Sequence, residues 1–193
     1  MRKILILGAY GFFGNILSNY LKRQEFITFR QGRKNNADYV CDPNLKDDLK
    51  NLVDELNPDC IVNLIAETNV DRCESIPEIA FKANLFIMEN IVNSIKNKNI
   101  FLIHLSTDQL YSGKGPHDES SVNPINEYAK TKYLSEKIAI KAKSLILRTN
   151  FVGKSISEKS SFTDWAVSSC LKKKEISLFN DVLFSPVHTS FLA

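Results

Sequence analysis

The sequence predicts an α/β protein: a doubly wound parallel sheet with helices on both faces, followed by the beginning of a smaller lobe. Three observations predict it. Short apolar runs rich in Ile, Val, Leu and Phe alternate with longer segments of helical period from Met1 to about Asn150, the pattern of strands buried on both faces. The first run opens onto Gly8, Gly11 and Gly14, evenly spaced at the start of a helical segment. After Asn150 the rhythm gives way to a Ser-rich stretch, which sets residues 1–150 apart as one domain and 151–193 as the start of a second.

In chain order, strands are expected over residues 3–7, 26–30, briefly at Tyr39 and Val40, and over 60–66, 100–106 and 144–148. Helices are expected between them, over 12–23, 45–56, 77–96 and 126–141. Strand followed by helix at each step demands right-handed crossovers, which place a ligand at the carboxyl ends of the strands. Beyond residue 150 the apolar spacing predicts a helix over 162–171 and a short strand over 176–179. Thr189 to Ala193 reads as a helix cap followed by less than one turn, too short to be stable alone. A truncated substrate lobe is therefore expected, interrupted rather than ended.

With 193 residues, 44% hydrophobic and 24% charged, the chain can bury one sizeable core and does not have a disordered composition. The formal charge of +3 is scattered along the sequence, which argues weakly for a small anionic ligand and against nucleic acid. Lys172, Lys173 and Lys174 read as a solvated helix end, without the interleaved aromatics of a nucleic-acid surface. Cys41, Cys60, Cys73 and Cys170 show no paired spacing, so reduced thiols and no metal site are expected. Met1-Arg2-Lys3 before an apolar run has the outline of a short signal peptide. Glycines interrupt that run, however, and no apolar stretch approaches the roughly twenty residues of a membrane span. A soluble, cytoplasmic protein is expected, with neither membrane nor nucleic acid as a partner.

The loop Gly8-Ala9-Tyr10-Gly11-Phe12-Phe13-Gly14 follows the first strand and opens a helix. Such a loop supplies a tight turn, a backbone close to a pyrophosphate, and a helix N-terminus that favours negative charge. In this context it marks a dinucleotide site, with Tyr10, Phe12 and Phe13 among the contacts; the plainer reading is glycines used only for helix–strand packing. The second strand ends in Phe29-Arg30-Gln31-Gly32-Arg33, where NAD-preferring folds carry an acid on the ribose hydroxyls. Arg30 and Arg33 suit a ribose 2′-phosphate instead, so NADP is expected, with NAD as the alternative. Ordinary surface charges are the plainer reading. Asp42, after the short third strand, either accepts from an adenine amino group or forms an Asx turn before Pro43.

A second constellation lies further on. The strand over 100–106 leads into Ser106-Thr107-Asp108, and the helix over 126–141 carries Tyr128-Ala129-Lys130-Thr131-Lys132. Tyr128 and Lys132 are one helical turn apart and share a face. An ammonium beside a phenol lowers its pKa from about 10 and makes it a usable proton donor. Thr107, at a strand end, can hold a carbonyl oxygen. Alone, such a Tyr and Lys would usually be a half-buried ring beside a solvated charge; downstream of the glycine loop they read as an acid-catalysis unit. His104 reads as a core residue, His117 as loop surface, and Trp165 as packing with approach to a base as its alternative.

The glycine loop, Asn57-Pro58-Asp59-Cys60-Ile61-Val62-Asn63, Ser106-Thr107-Asp108, Tyr128 with Lys132, and Leu147-Arg148-Thr149-Asn150 together resemble the extended short-chain dehydrogenases/reductases. Within that group the sequence most resembles the dTDP-4-dehydrorhamnose reductases. The resemblance runs the length of the chain. It implies a Rossmann fold, a nicotinamide cofactor, a nucleoside-diphosphate sugar as substrate, and a place in nucleotide-sugar and surface-polysaccharide biosynthesis; a homodimer is a separate expectation, from the apolar surface that a missing lobe would leave uncovered. It also implies that Thr107, Tyr128 and Lys132 form the catalytic triad and that Gly8, Gly11 and Gly14 form the cofactor loop. Tyr128 and Lys132 would touch the cofactor as well, and Ile65 and Ala66 would meet it where the fourth strand ends. Dehydratases of this superfamily place an acid after the Thr-Asp pair; here Gln109 follows Asp108. An amide takes no proton, so carbonyl reduction is favoured over dehydration. An epimerase, which shares the triad, and a non-catalytic subunit like the regulatory partner of methionine adenosyltransferase are the alternative readings.

Overall fold

The computed structural model describes residues 1–155, 160–182 and 184–193. Seven strands form one sheet: β1 (Arg2–Leu7), β2 (Phe26–Gly32), β3 (Tyr39–Val40), β4 (Cys60–Asn63), β5 (Phe101–Thr107), β6 (Ser144–Val152) and β7 (Pro186–His188). Their order is β3-β2-β1-β4-β5-β6-β7, and every pairing is parallel. The chain winds outward from β1 to β3, then returns to β4 on the other flank of β1. That reversal opens a crevice at the carboxyl ends of β1 and β4.

Strict alternation along β1 builds the two faces. Ile4 and Ile6 meet α1 (Phe12–Leu21) through Phe13, Leu17 and Leu21. Leu5 and Leu7 meet α2 (Lys46–Leu56) and a later helix through Leu49, Val53, Met88 and Ile91. All four β1 side chains are buried.

Several elements differ from the sequence expectation. The strand over 60–66 stops at Asn63, whose side-chain oxygen takes the N–H of Ile65 at 3.1 Å and turns the backbone out of the sheet. A short helix, α3 (Val70–Ser75), follows; Asn69 caps it by accepting from the Arg72 N–H at 2.9 Å. The helix over 77–96 is α4 (Pro77–Ala80), a π-helical segment (Phe81–Phe86) and α5 (Ile87–Ile95) in succession. The wide turn carries the buried Asn84, which grips the backbone of Glu67. After β5 comes a 3-10 turn (Asp108–Leu110), then α6 (Glu127–Ala139), capped by Asn126 on the Ala129 N–H.

The strand expected over 176–179 does not form. Leu178 and Phe179 lie exposed outside the sheet, because the free edge of β6 is taken by β7, with Val187 opposite Phe151. The helix expected over 162–171 is present as α7 (Phe162–Leu171), begun by a capping box between Ser161 and Asp164. The last residues form a single turn, α8 (Thr189–Leu192), whose Leu192 packs on the α1 face of the sheet.

Candidate active site

The glycine loop sits at the crevice. Gly8 has φ +77°, a conformation that side chains resist, and its N–H donates to Gln31 Oε1 at 3.0 Å. Gln31, buried, donates in turn to the Cys41 carbonyl at 2.7 Å, so one amide ties the loop to the ends of β2 and β3. Sequence reasoning missed it; the available signal is an uncharged amide between Arg30 and Gly32 at the end of a strand. At Gly14 a Cβ would stand 2.4 Å from the Gly8 carbonyl oxygen, so only hydrogen allows α1 to pack this closely on β1. No side chain caps α1 and its first turn holds no acid, which leaves the positive helix end to an anion.

A cavity of about 850 Å³ opens here. Among the expected residues Gly8, Tyr10, Gly11, Phe12, Arg33, Asp42, Ile65 and Ala66 line it, and so do Glu67, Arg72 and Lys82, which the sequence did not single out. Phe13 instead turns into the core, its ring 5.3 Å from that of Phe151. Arg30 lies over the Tyr10 ring at 4.4 Å and donates to Asn15 Oδ1 at 3.2 Å. Its buried Nε has no hydrogen-bond partner among the described residues. An acid does stand near it, supplied by the following loop rather than the strand end: Asp38 lies 4.0 Å away and accepts from the Tyr10 hydroxyl at 2.9 Å. Asp42 forms the Asx turn, accepting from the Asn44 N–H at 3.1 Å and Nδ2 at 2.9 Å, while still facing the cavity. Burial pushes its carboxyl up, but the Asn44 bonds, with Arg33 and Lys82, hold it below the usual value. Glycine cradle, bare helix end and basic rim fit a dinucleotide pyrophosphate.

Thr107 ends β5, while Tyr128 and Lys132 face it from the first turns of α6. The three side chains are brought together and buried, at 4%, 8% and 2% exposure, and none of them is among the residues that line the cavity. The Thr107 hydroxyl lies beside the phenol and favours its ionised form, but burial dominates and raises the tyrosine above its ordinary pKa. This corrects the expectation that Lys132 lowers it. The lysine Nζ is turned to the Leu105 carbonyl, at 2.7 Å, and the His104 ring, at 3.5 Å. Burial pulls Lys132 down to about 7, partly countered by Glu136 one turn along.

Two further networks brace the cluster. Ser106 donates to Glu136, which also receives Arg148 Nη2 at 2.7 Å and Nε at 3.0 Å. Arg148 reaches on to the Tyr111 hydroxyl at 3.1 Å and the Glu119 carbonyl at 2.7 Å. Asn84 joins the π-helical segment to α6 by donating to Thr131 Oγ1 at 3.0 Å. His104 is a core residue, as expected. His117 stacks on Tyr111 in the loop, and Trp165 packs half-exposed against Phe162, away from the cavity.

The reversed parallel sheet, the glycine turn at its crevice and the buried Thr–Tyr–Lys cluster at the end of β5 define a Rossmann-fold protein of the short-chain dehydrogenase/reductase type. The chain belongs to the family described as the RmlD substrate binding domain, which it matches over residues 1–193. It is 31% identical over 165 residues to the dTDP-4-dehydrorhamnose reductase of Escherichia coli (strain K12), covering 82% of this chain and 54% of that one. It is 30% identical over 143 residues to methionine adenosyltransferase 2 subunit beta of Xenopus tropicalis, covering 72% and 43% of the two chains. The crystal structure of a hypothetical dTDP-4-dehydrorhamnose reductase from Sulfolobus tokodaii superposes with a TM-score of 0.86 at 32% identity, covering 100% of this chain and 69% of that one. The chain spans about half the length of the curated reductases it matches. No helix among the described residues is long and apolar enough to cross a membrane.

Proposed function

We propose that residues 1–150 form the cofactor-binding domain, and 151–193 the start of the substrate lobe, of an NADPH-dependent reductase of 4-keto sugar nucleotides. Its place would be cytoplasmic nucleotide-sugar and surface-polysaccharide biosynthesis. The observation that carries the reading is the burial of Thr107, Tyr128 and Lys132 together at the end of a central strand, beside the glycine-loop crevice. Bound NADPH would supply the hydride. The chain's own groups do the rest. The amides at the start of α1 hold the pyrophosphate, and Arg33, with Arg30, takes the 2′-phosphate. The Thr107 and Tyr128 hydroxyls orient the carbonyl oxygen, and the phenol gives it a proton as negative charge gathers there. Burial keeps the phenol protonated until then, and Thr107 steadies the phenolate left behind. Gln109 in place of an acid supports reduction over dehydration.

The likeness to a methionine adenosyltransferase subunit favours one second reading, a non-catalytic NADP-binding regulatory subunit; an epimerase shares the same triad. Fluorescence titration of both reduced cofactors, and NADPH oxidation against a panel of nucleotide-linked 4-keto sugars, separate these. NADPH is expected to bind about tenfold more tightly than NADH, an advantage lost in Arg33→Ala. Tyr128→Phe is expected to lower turnover about 10²-fold or more with cofactor binding intact. Binding without turnover on any sugar would favour the regulatory reading, and sugar inversion without net NADPH consumption the epimerase.

A further inference from the structure

Beneath Lys132 lies a buried chain of polar side chains that the triad does not account for. Asn63 and His104 stand opposite each other in the β4–β5 register, and Ser135 and Lys132 reach them from α6. The amide orientation of Asn63 is fixed, because its Oδ1 accepts the Ile65 N–H at 3.1 Å. Its Nδ2, which can only donate, therefore faces His104 Nδ1, at 3.4 Å. Nδ1 must then be the accepting nitrogen and Nε2 must carry the proton. That N–H has an acceptor in Ser135 Oγ at 3.1 Å. The same Nε2 lies 3.5 Å from Lys132 Nζ, and with its lone pair occupied it cannot accept from an ammonium. The opposite tautomer would offer that lone pair and draw a lysine proton down into the core.

We propose that Asn63 and His104 are positioning residues for Lys132: Asn63 locks the imidazole as its Nε2–H tautomer, and that N–H edge refuses a proton from the lysine ammonium. Leu105 O, at 2.7 Å, then anchors Nζ, and the other protons of the ammonium have no acceptor among the described residues. They are left for the cofactor ribose and the phenol, a consequence that rests on the reductase reading; the tautomer does not. One chain of contacts thus runs from Ile65, which lines the cavity, through Asn63 and His104 to Lys132. The other ionisable groups acting here are Glu136 on Lys132, and Asp108 and Cys73 on Tyr128. Burial and Lys132 hold the imidazole neutral.

A two-bond proton–nitrogen correlation spectrum of the histidine-labelled chain, with His104 assigned by its loss in His104→Gln, reads the tautomer directly. His104 is expected to be neutral and protonated at Nε2, unchanged between about pH 5.5 and 8.5. Asn63→Asp keeps an acceptor for the Ile65 N–H but sets a second acceptor against the ring. It is expected to move the ring proton to Nδ1 and weaken NADPH binding about tenfold, the loss also expected of Lys132→Met. A wild-type ring protonated at Nδ1, or an imidazolium, overturns the proposal even if Asn63→Asp does not fold. A tautomer that moves while NADPH affinity holds within about twofold overturns the positioning role. A wild-type chain that binds no NADPH counts against the reductase reading and the lysine's task together, with the tautomer still scored by the spectrum.

Discussion

Lys132 is an amine enclosed where water scarcely reaches it, and this gives the protein's pH dependence a definite sign. Burial lowers its pKa from 10.5 to about 7. Between those values the unfolded chain holds a proton that the folded chain has released, so this group makes stability rise with pH across that interval. The buried His104, held well below 6.5, acts with the same sign at lower pH. The Cys41 and Cys60 thiols, pushed by burial from 9.0 up to about 12 and about 11, act oppositely above 9.0, where the unfolded chain ionises first. From about pH 7 to 9, then, Lys132 is isolated. The urea midpoint of the wild type is expected to climb across that window, and Lys132→Met, which fills the space without titrating, to flatten the climb. A flat wild-type midpoint would contradict the burial of a charged amine.

Helix α1 meets β1 by direct backbone contact, which makes its glycines unequal. A Cβ at Gly14 would lie 2.4 Å from the Gly8 carbonyl oxygen and 2.8 Å from Ala9 Cα, whereas one at Gly11 meets only the Gly8 oxygen, at 3.3 Å. Gly14→Ala is expected to lift the helix, costing ~1–3 kcal/mol and most of the NADPH affinity; thermal melts compare it with Gly11→Ala, expected to cost less stability, its Cβ meeting a single atom. On α6, Glu136→Ala leaves the Arg148 guanidinium half-buried without its partner and is expected to cost roughly 3–5 kcal/mol, while replacing both by Met costs less. Chemical denaturation of the two variants beside the wild type measures the difference. The sheet, the glycine turn and the Thr–Tyr–Lys cluster were legible because each rests on a local pattern: alternation, spacing or a single helical turn. Gln31, Asn84 and Glu136 were not, since their partners lie 23, 47 and 30 residues away. The last strand was misread for a related reason. An edge strand is the segment that reaches β6, whatever its apolar content, and Pro186 at its start is weak evidence of a strand in sequence.

Across the whole molecule, apolar side chains divide unevenly. The buried hydrophobic core falls before residue 150, while Leu171, Leu178, Phe179 and Phe191 beyond it are 79%, 68%, 85% and 84% exposed. Exposed apolar area of this kind drives association. The weight-average mass of the chain in sedimentation is expected to rise with concentration, and Phe179→Ser combined with Phe191→Ser to suppress the rise; a concentration-independent monomer would contradict it. The strand order has a different consequence, during synthesis. β1 is made first and ends in the middle; β2 and β3 join one flank, and β4 to β7 then join the other in sequence. As the chain leaves the ribosome every new strand finds its predecessor waiting as an open edge, except β4, which must come back to β1, pairing Cys60 with Ile4. Until then the backbone N–H and C=O groups along one edge of β1 stay unpaired between two apolar faces. The interval between Gly32 and Cys60 is therefore the one step of sheet assembly in which an open edge waits for a strand other than the next one made.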